Sequence, residues 1–412
     1  MTPPTEPSTS PPRRTVLLWA GLAIGLTALN LRTAVTGFTP LLEIIGRDLG
    51  YGLAMAGLLG TVPAAAFGVF GAVAPVVTGR FGLERTATAA LAATALALVL
   101  RAAAPSPGAL VGSTVLALAG IGAANVVIVP LVKSWFPNRL ALWTSLYLIL
   151  MQTGQFLAPL LAVPLADAGT WRLSVGIWAG PALLAAISWC VLAVRAPTGH
   201  HARTASATRP DRSSLLVSPT LWGLAVLFAM MSVSNYAVIT WVPAILVEAG
   251  ADPALGGAMV ALYSSWGMLA ALLVPRLTAR MPRPFPIVLA CGVLLVAGYL
   301  GLLLSPLVGT LVWVCALGIG VSTFPLCMTL INLRTSGPQA ASATSGIVQG
   351  IGYGIACLGP VGLGLLHEAT GSWTVPLLVL AATTVPGIIG GWFACRPIPI
   401  DGRTVPGTCR LR

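Results

Sequence analysis

Apolar runs of eighteen or more residues recur from near Thr15 to Cys395. Each is long enough to cross a hydrocarbon core of about 30 Å, so the bilayer is the solvent for most of this chain. Composition agrees: of 412 residues 57% are hydrophobic and 8% charged, against about a quarter charged in a soluble domain. A water-soluble enzyme is excluded, and the expected class is an all-α membrane protein.

The net charge of +12 does not indicate nucleic acid, because the basic residues stand singly between apolar runs without a basic stripe or aromatic interleaving. Six cysteines (Cys190, Cys291, Cys315, Cys327, Cys357 and Cys395) fall within apolar runs and Cys409 in the tail. They lack the spacing of a disulfide framework or a zinc site and read as small packing residues. The opening MTPPTEPSTSPPRR is polar and Pro-rich, and the apolar run behind it is too long for a signal peptide. The first span is expected to be retained.

Charges, Pro/Gly turns and caps divide the apolar sequence into twelve predicted spans: 15–45, 53–79, 84–104, 107–135, 139–167, 171–195, 219–249, 254–279, 284–305, 308–333, 338–368 and 372–395. The one long polar segment, 196–218, reads as a mobile linker between six helices and six. The expected organisation is a disordered N-terminus (1–14), a bundle (15–195), the linker, a second bundle (219–395) and a tail (396–412). Of the 22 basic residues, all but Arg47, Arg101, Arg172 and the intramembrane Arg32 fall on the side of the linker and termini. Positive charge marks the cytoplasmic side, so both termini are expected there.

The halves resemble one another. Pro75, Thr78 and Arg80 recur as Pro275, Thr278 and Arg280; Gly120 and Gly122 recur as Gly318 and Gly320; ADAGTW (166–171) has an echo in HEATGSW (367–373). Matches in the same order at a near-constant offset argue for a duplicated six-helix unit, the architecture of transporters with a site between pseudo-symmetric halves.

Three stretches, ALNLRTAVTGFTPLLEII (28–45), the 318/320 glycine pair with FPLC (324–327), and SGIVQGIGYGIACLGPVGLGLLHEATGSW (345–373), resemble the major facilitator superfamily and, within it, the cyanate and nitroimidazole porter branch. The resemblance runs from Arg13 to Cys395. It implies two six-helix bundles moving against each other, with helices one, four, seven and ten lining the path, and a substrate-binding basic residue in the NLR sequence of Asn30 to Arg32. TGRFGLERT (78–86) resembles the superfamily's cytoplasmic gating motif through Arg80, Gly82 and Arg85, but carries Gly79 in place of its aspartate. Glu84 is a candidate replacement, and Arg80, Arg85 and Arg280 are read as a cytoplasmic latch. The run from Gly154 to Ala162 is similar to the antiporter motif, with alanines for glycines.

Arg32 lies deep in the first span, where an arginine costs at least about 2.5–3.5 kcal/mol. The nearest carboxylate on that helix, Glu43, is eleven residues on, about 16 Å away. An intramembrane guanidinium without a protein counter-ion is an anion site, since its planar fork binds an oxyanion or carboxylate bidentately. The bland alternative is an arginine satisfied by helix carbonyls.

The other mid-span polar residues are few: Asn125, Gln152, Gln155, Asn235, Tyr236, Gln349 and Tyr353. Each needs a partner in the bundle or a water-filled cavity, and an interhelical hydrogen bond serves as well as a substrate. Aligning Pro40 with Pro243 sets Arg32 against Asn235. Tyr263, Trp266, Trp241 and Phe324 read as packing, and the glycines of 350–364 as close helix contact. No phosphate loop, HExxH, GxSxG or metal-ligand cluster occurs; His200 and His201 are on the linker and His367 at the outer loop that ends the eleventh span. No catalytic residue, metal or cofactor is predicted.

The expected function is secondary active or facilitative transport of a small anionic or weakly polar solute, cyanate-like or nitroimidazole-like, by alternating access. The expected site comprises Arg32, Asn30, Asn125, Gln152, Asn235, Tyr236, Gln349 and Tyr353 in a monomer whose partners are a small-molecule substrate and the bilayer. The alternative is a proton-coupled drug or metabolite efflux antiporter, which lacks an evident mid-span acid; a channel or sensor is more distant.

Overall fold

A computed structural model describes residues 14–195, 215–335 and 338–400. Residues 1–13 of the expected N-terminal tail, all of the linker but 215–218 and the tail beyond 400, with His200, His201 and Cys409, lie outside them. The described chain is helical: α1 (Arg14–Thr36, then Leu42–Leu49), α2 (Leu53–Phe81), α3 (Leu83–Ala102), α4 (Pro107–Trp135), α5 (Leu140–Asp167), α6 (Trp171–Gly176 and Ala179–Arg195), α7 (Pro219–Glu248), α8 (Pro253–Arg280), α9 (Phe285–Leu304), α10 (Thr310–Gly320 and Thr323–Leu333), α11 (Pro338–Ala356 and Leu358–Thr370) and α12 (Thr374–Ala394). These make twelve helices long and apolar enough to cross a membrane. Exposed chains such as Leu100, Val194, Leu272 and Leu304 leave more bare apolar surface than a soluble monomer tolerates. This is a multi-pass membrane protein.

Four helices expected to be continuous are broken. Each break falls about one turn before a proline: Thr36 before Pro40, Ile177 before Pro181, Val321 before Pro325 and Ala356 before Pro360. Proline has no N–H to give the carbonyl four residues back, and its ring crowds that carbonyl. At the first break the Thr39 hydroxyl donates to the Thr36 carbonyl at 3.3 Å, which satisfies the group Pro40 abandons. Proline alone does not force a break, because Pro130, Pro159 and Pro243 sit inside continuous helices.

The two halves pack as separate bundles with one apolar cluster across the end opposite the termini, where Phe38, Leu41 and Leu59 meet Ala237, Trp241 and Leu363. Helices α2 and α11 set the shape of this seam. A Cβ on Gly57 would stand 2.7 Å from the Pro360 carbonyl oxygen, and one on Gly364 would stand 3.0 Å from that of Leu53. Nearby, Thr61 donates to the Cys357 carbonyl at 3.0 Å and the Ala54 N–H donates to Glu368 at 2.7 Å. Toward the termini the helices part. The corresponding distance from Gly68 to Tyr353 is 3.8 Å, and nothing stands within 4 Å at Gly350 or Gly346. The molecule is closed at one end and splayed at the other.

The repeat is physical as well as textual. In the first half the Trp171 indole N–H donates to Asp48 at 2.9 Å and Arg172 pairs with the same oxygen at 2.9 Å. In the second, Trp373 donates to Glu248 at 2.7 Å with His367 at 2.9 Å. Asp48 and Glu248 each end the first helix of a half, just before a glycine with positive φ, Gly50 at 73° and Gly250 at 97°, a conformation that favours glycine.

Two outcomes follow. Gly57→Leu forces a side chain into the seam, with an overpacking penalty of about 1–3 kcal/mol, and is expected to cut transport at least about tenfold while circular dichroism stays unchanged; full activity would show the contact to be incidental. Trp373→Phe and Trp171→Phe keep the buried rings but remove the donors to two half-exposed carboxylates, and are each expected to lose about 1 kcal/mol, read as earlier thermal unfolding in detergent.

Candidate functional site

Helix α7 is the most enclosed span: 83% of its most apolar window is buried, against 28% for α5. An apolar helix buried on all sides is an interior element, and α7 runs past α1, α2 and α11 between the two halves. Where these helices meet, below the seam, stands Arg32.

Arg32 is half-buried, and its Nε is fully buried without a hydrogen-bond partner. Its guanidinium carbon lies 5.1 Å from the Phe67 ring centroid. Tyr353 of α11 lies 6.4 Å from that ring, and Tyr236 of α7 lies 6.3 Å from Tyr353. Carboxylates are elsewhere: among the described residues the ion pairs are Glu43–Arg47, Asp48–Arg172 and Glu248–His367, all at the closed end. Among the described residues no carbonyl accepts a hydrogen bond from this guanidinium.

The remaining expected site residues divide. Asn30 is 1% exposed and folds back on its own helix, its Nδ2 donating to the Leu26 carbonyl at 2.9 Å; residues two apart on a helix do not share a face. Asn235 accepts from the Tyr263 hydroxyl at 3.0 Å, and Gln349 donates to Ser345 at 2.6 Å. These three are engaged within their own bundles. Gln152 borders the other half, its Nε2 standing 3.0 Å from where a Cβ on Gly267 of α8 would be. Asn125 is half-buried on α4. The structure thus gathers Arg32, Tyr236 and Tyr353.

Two residues escaped the sequence reading. Phe67, the ring beneath Arg32, has no signal in the chain beyond being aromatic within a span. Arg101, counted among the flanking charges, is instead 1% exposed. It donates to the Ala34 carbonyl at 3.1 Å and stacks 4.4 Å from the Phe38 ring. Ala34 is in the last turn of the first segment of α1, where carbonyls lack intrahelical donors and a cation is favoured by the helix dipole. Arg101 is therefore a helix cap.

At the splayed end Arg80, Arg85 and Arg280 are exposed, and Arg80 lies 5.7 Å from the neighbouring Phe81 ring. None of them forms an ion pair among the described residues. Glu84 is buried at the start of α3.

Residues 22–360 match the family described as Major Facilitator Superfamily. The chain is 31% identical over 383 residues to a 2-nitroimidazole transporter of Escherichia coli (strain K12), covering 92% of this chain and 96% of that one. It is 28% identical over 358 residues to the cyanate transport protein CynX of the same organism, with 85% and 91% covered. Its fold is similar to the crystal structure of the nucleoside transporter NupG, with a TM-score of 0.76 at 13% identity and coverage of 90% and 98%. With twelve helices in two similar halves closed at one end over a central arginine, this chain belongs to the major facilitator superfamily.

Proposed function

We propose that this transporter moves a small anionic or weakly polar solute, cyanate-like or nitroimidazole-like, by alternating access, with Arg32 binding its negative charge. The observation that carries this reading is a guanidinium between the two halves that forms no ion pair among the described residues. In a site of low polarity such a fork holds an oxyanion or carboxylate strongly. Tyr236 and Tyr353 complete the site from the second half, so solute contact bridges both bundles. The relatives named for 2-nitroimidazole and cyanate support a small, compact solute.

The bias of basic residues toward the linker and termini favours a cytoplasmic splayed end, in a bacterial cell membrane. This conformation is then inward-facing, and Arg80, Arg85 and Arg280 are the groups that latch the cytoplasmic side when the halves rock the other way. Their freedom in the present conformation fits that role. Asn125 and Gln152 border the path, whereas Asn30, Asn235 and Gln349 support it from within the bundles. The protein acts as a carrier and performs no chemistry on its cargo.

Protein reconstituted in liposomes, given labelled cyanate or labelled 2-nitroimidazole with and without an imposed membrane potential, tests this reading. Saturable uptake is expected, and Arg32→Gln is expected to reduce it at least about tenfold, the loss of one charged hydrogen-bonding group. A potential-dependent signal identifies the anion as the transported species. Uptake in Arg32→Gln equal to that of the wild type would overturn the role of Arg32.

A further inference from the structure

The groups around Arg32 are aromatic to an unusual degree for a site that need only hold a small ion. Phe67 of α2 underlies the guanidinium at 5.1 Å. Its ring is 6.4 Å from Tyr353, which in turn meets Tyr236 edge-on at 6.3 Å and Phe228 edge-on at 5.3 Å. Phe67 comes from the first half and the other three from the second. Phe67 and Tyr353 are half-buried while Phe228 is fully buried, so the first two are the rings with faces to spare and the last is their backing. The amides that could have made this chamber polar, Asn235 and Gln349, are turned into bonds of their own. Neither Tyr236 nor Tyr353 spends its hydroxyl in a hydrogen bond among the described residues.

One cation, a wall of rings and two phenol hydroxyls make a specific chemical demand. The guanidinium takes a single carboxylate or similarly delocalised anionic group by its fork. Rings prefer offset or edge-on contact with another ring at centroid separations of about 4.5–7 Å, the spacing already present between Phe67, Tyr353 and Tyr236. A planar solute anchored at Arg32 would continue that array, and a polar substituent on its far edge would meet the phenols. An aliphatic anion of equal charge and bulk would use the arginine and leave the ring geometry unexploited. A second negative charge would find no second cation among the described residues, since the fully buried Arg101 is engaged at Ala34.

From this we infer that the Arg32 chamber selects planar aromatic or heteroaromatic monoanions, of the arene carboxylate class, over aliphatic or simple inorganic anions. The inference rests on the reading of Arg32 as an anion site and sharpens it. Phe67 is the specificity-determining residue and Tyr353 its partner from the second half.

Isothermal titration of the purified protein in detergent at neutral pH with benzoate and with cyclohexanecarboxylate separates the two levels. Both ligands are ionised and similar in bulk, and only one is aromatic. Benzoate is expected to bind at least about fivefold more tightly, the scale of one or two good ring contacts. Phe67→Leu is expected to bring the ratio close to one while leaving the weaker cyclohexanecarboxylate binding in place, and Arg32→Gln to abolish both. Equal affinities in the wild type would overturn the aromatic preference, a comparison that needs no variant to fold. So would binding of cyanate without binding of benzoate, or an undiminished ratio in Phe67→Leu. If Arg32→Gln removes both ligands but the wild-type ratio is one, the anion site stands and the aromatic selectivity falls. If Arg32→Gln binds both as the wild type does, the anion site itself falls.

Discussion

An unpaired guanidinium at bilayer depth is the constraint to which the rest of this structure answers. Arginine there is expensive, and the usual remedies are absent: no carboxylate shares its helix turn, and no carbonyl accepts its protons among the described residues. What remains is a position between two bundles, where the splayed end admits solvent and the π face of Phe67 lies within 5.1 Å. A cation over a ring gains about 0.5–2 kcal/mol, too little to offset the cost by itself. A path open to water or solute is what makes such a residue tolerable.

Duplication supplies the frame that holds the path shut at the other end. Asp48 and Glu248 each end the opening helix of a half and each accept an indole N–H, from Trp171 and Trp373. The same device ties the first helix of each bundle to the connection after its fifth. The halves differ in the group that completes it, the Arg172 guanidinium in one and the His367 imidazole in the other. Between the bundles, close backbone approaches at Gly57 and Gly364 stand beside an apolar cluster that includes Phe38, Leu59 and Trp241.

Much of this was legible in the chain, and the misses have physical causes. Span count, repeat and Arg32 are composition and period, and the twelve observed helices follow the expected boundaries within a few residues. The site membership was not, because deciding whether Asn30 or Gln349 faces a path requires knowing which helix face is inward, and apolar spans show little periodicity to read. Asn235 was matched to Arg32 through Pro40 and Pro243, yet Asp48 with Glu248 and Gly50 with Gly250 put the repeat three residues out of that register. Its neighbour Tyr236 is the side chain near Arg32. Arg101 looked like a flanking charge because it ends a span, and only the arrival of α1's last turn beside it reveals a cap. The breaks before Pro40, Pro181, Pro325 and Pro360 could not be told from the unbroken Pro130 or Pro243 without knowing which carbonyls find substitutes.

Those breaks also place the site relative to the motion. Arg32 lies one turn before the break at Thr36, and Tyr353 one turn before that at Ala356. In α1 and α11 alike, the residue that faces the chamber therefore belongs to the segment on the splayed side, while the residues of the seam, such as Leu41 and Gly364, belong to the segment beyond the break. A continuous helix would transmit any tilt at the seam directly to the site. An interrupted one lets the outer segments of α1 and α11 separate while Arg101, bonded at Ala34 and stacked on Phe38, keeps the end of α1's first segment anchored to α3. The segments that carry Arg32 and Tyr353 are thus distinct from those that form the seam, an arrangement that fits the proposed alternating access.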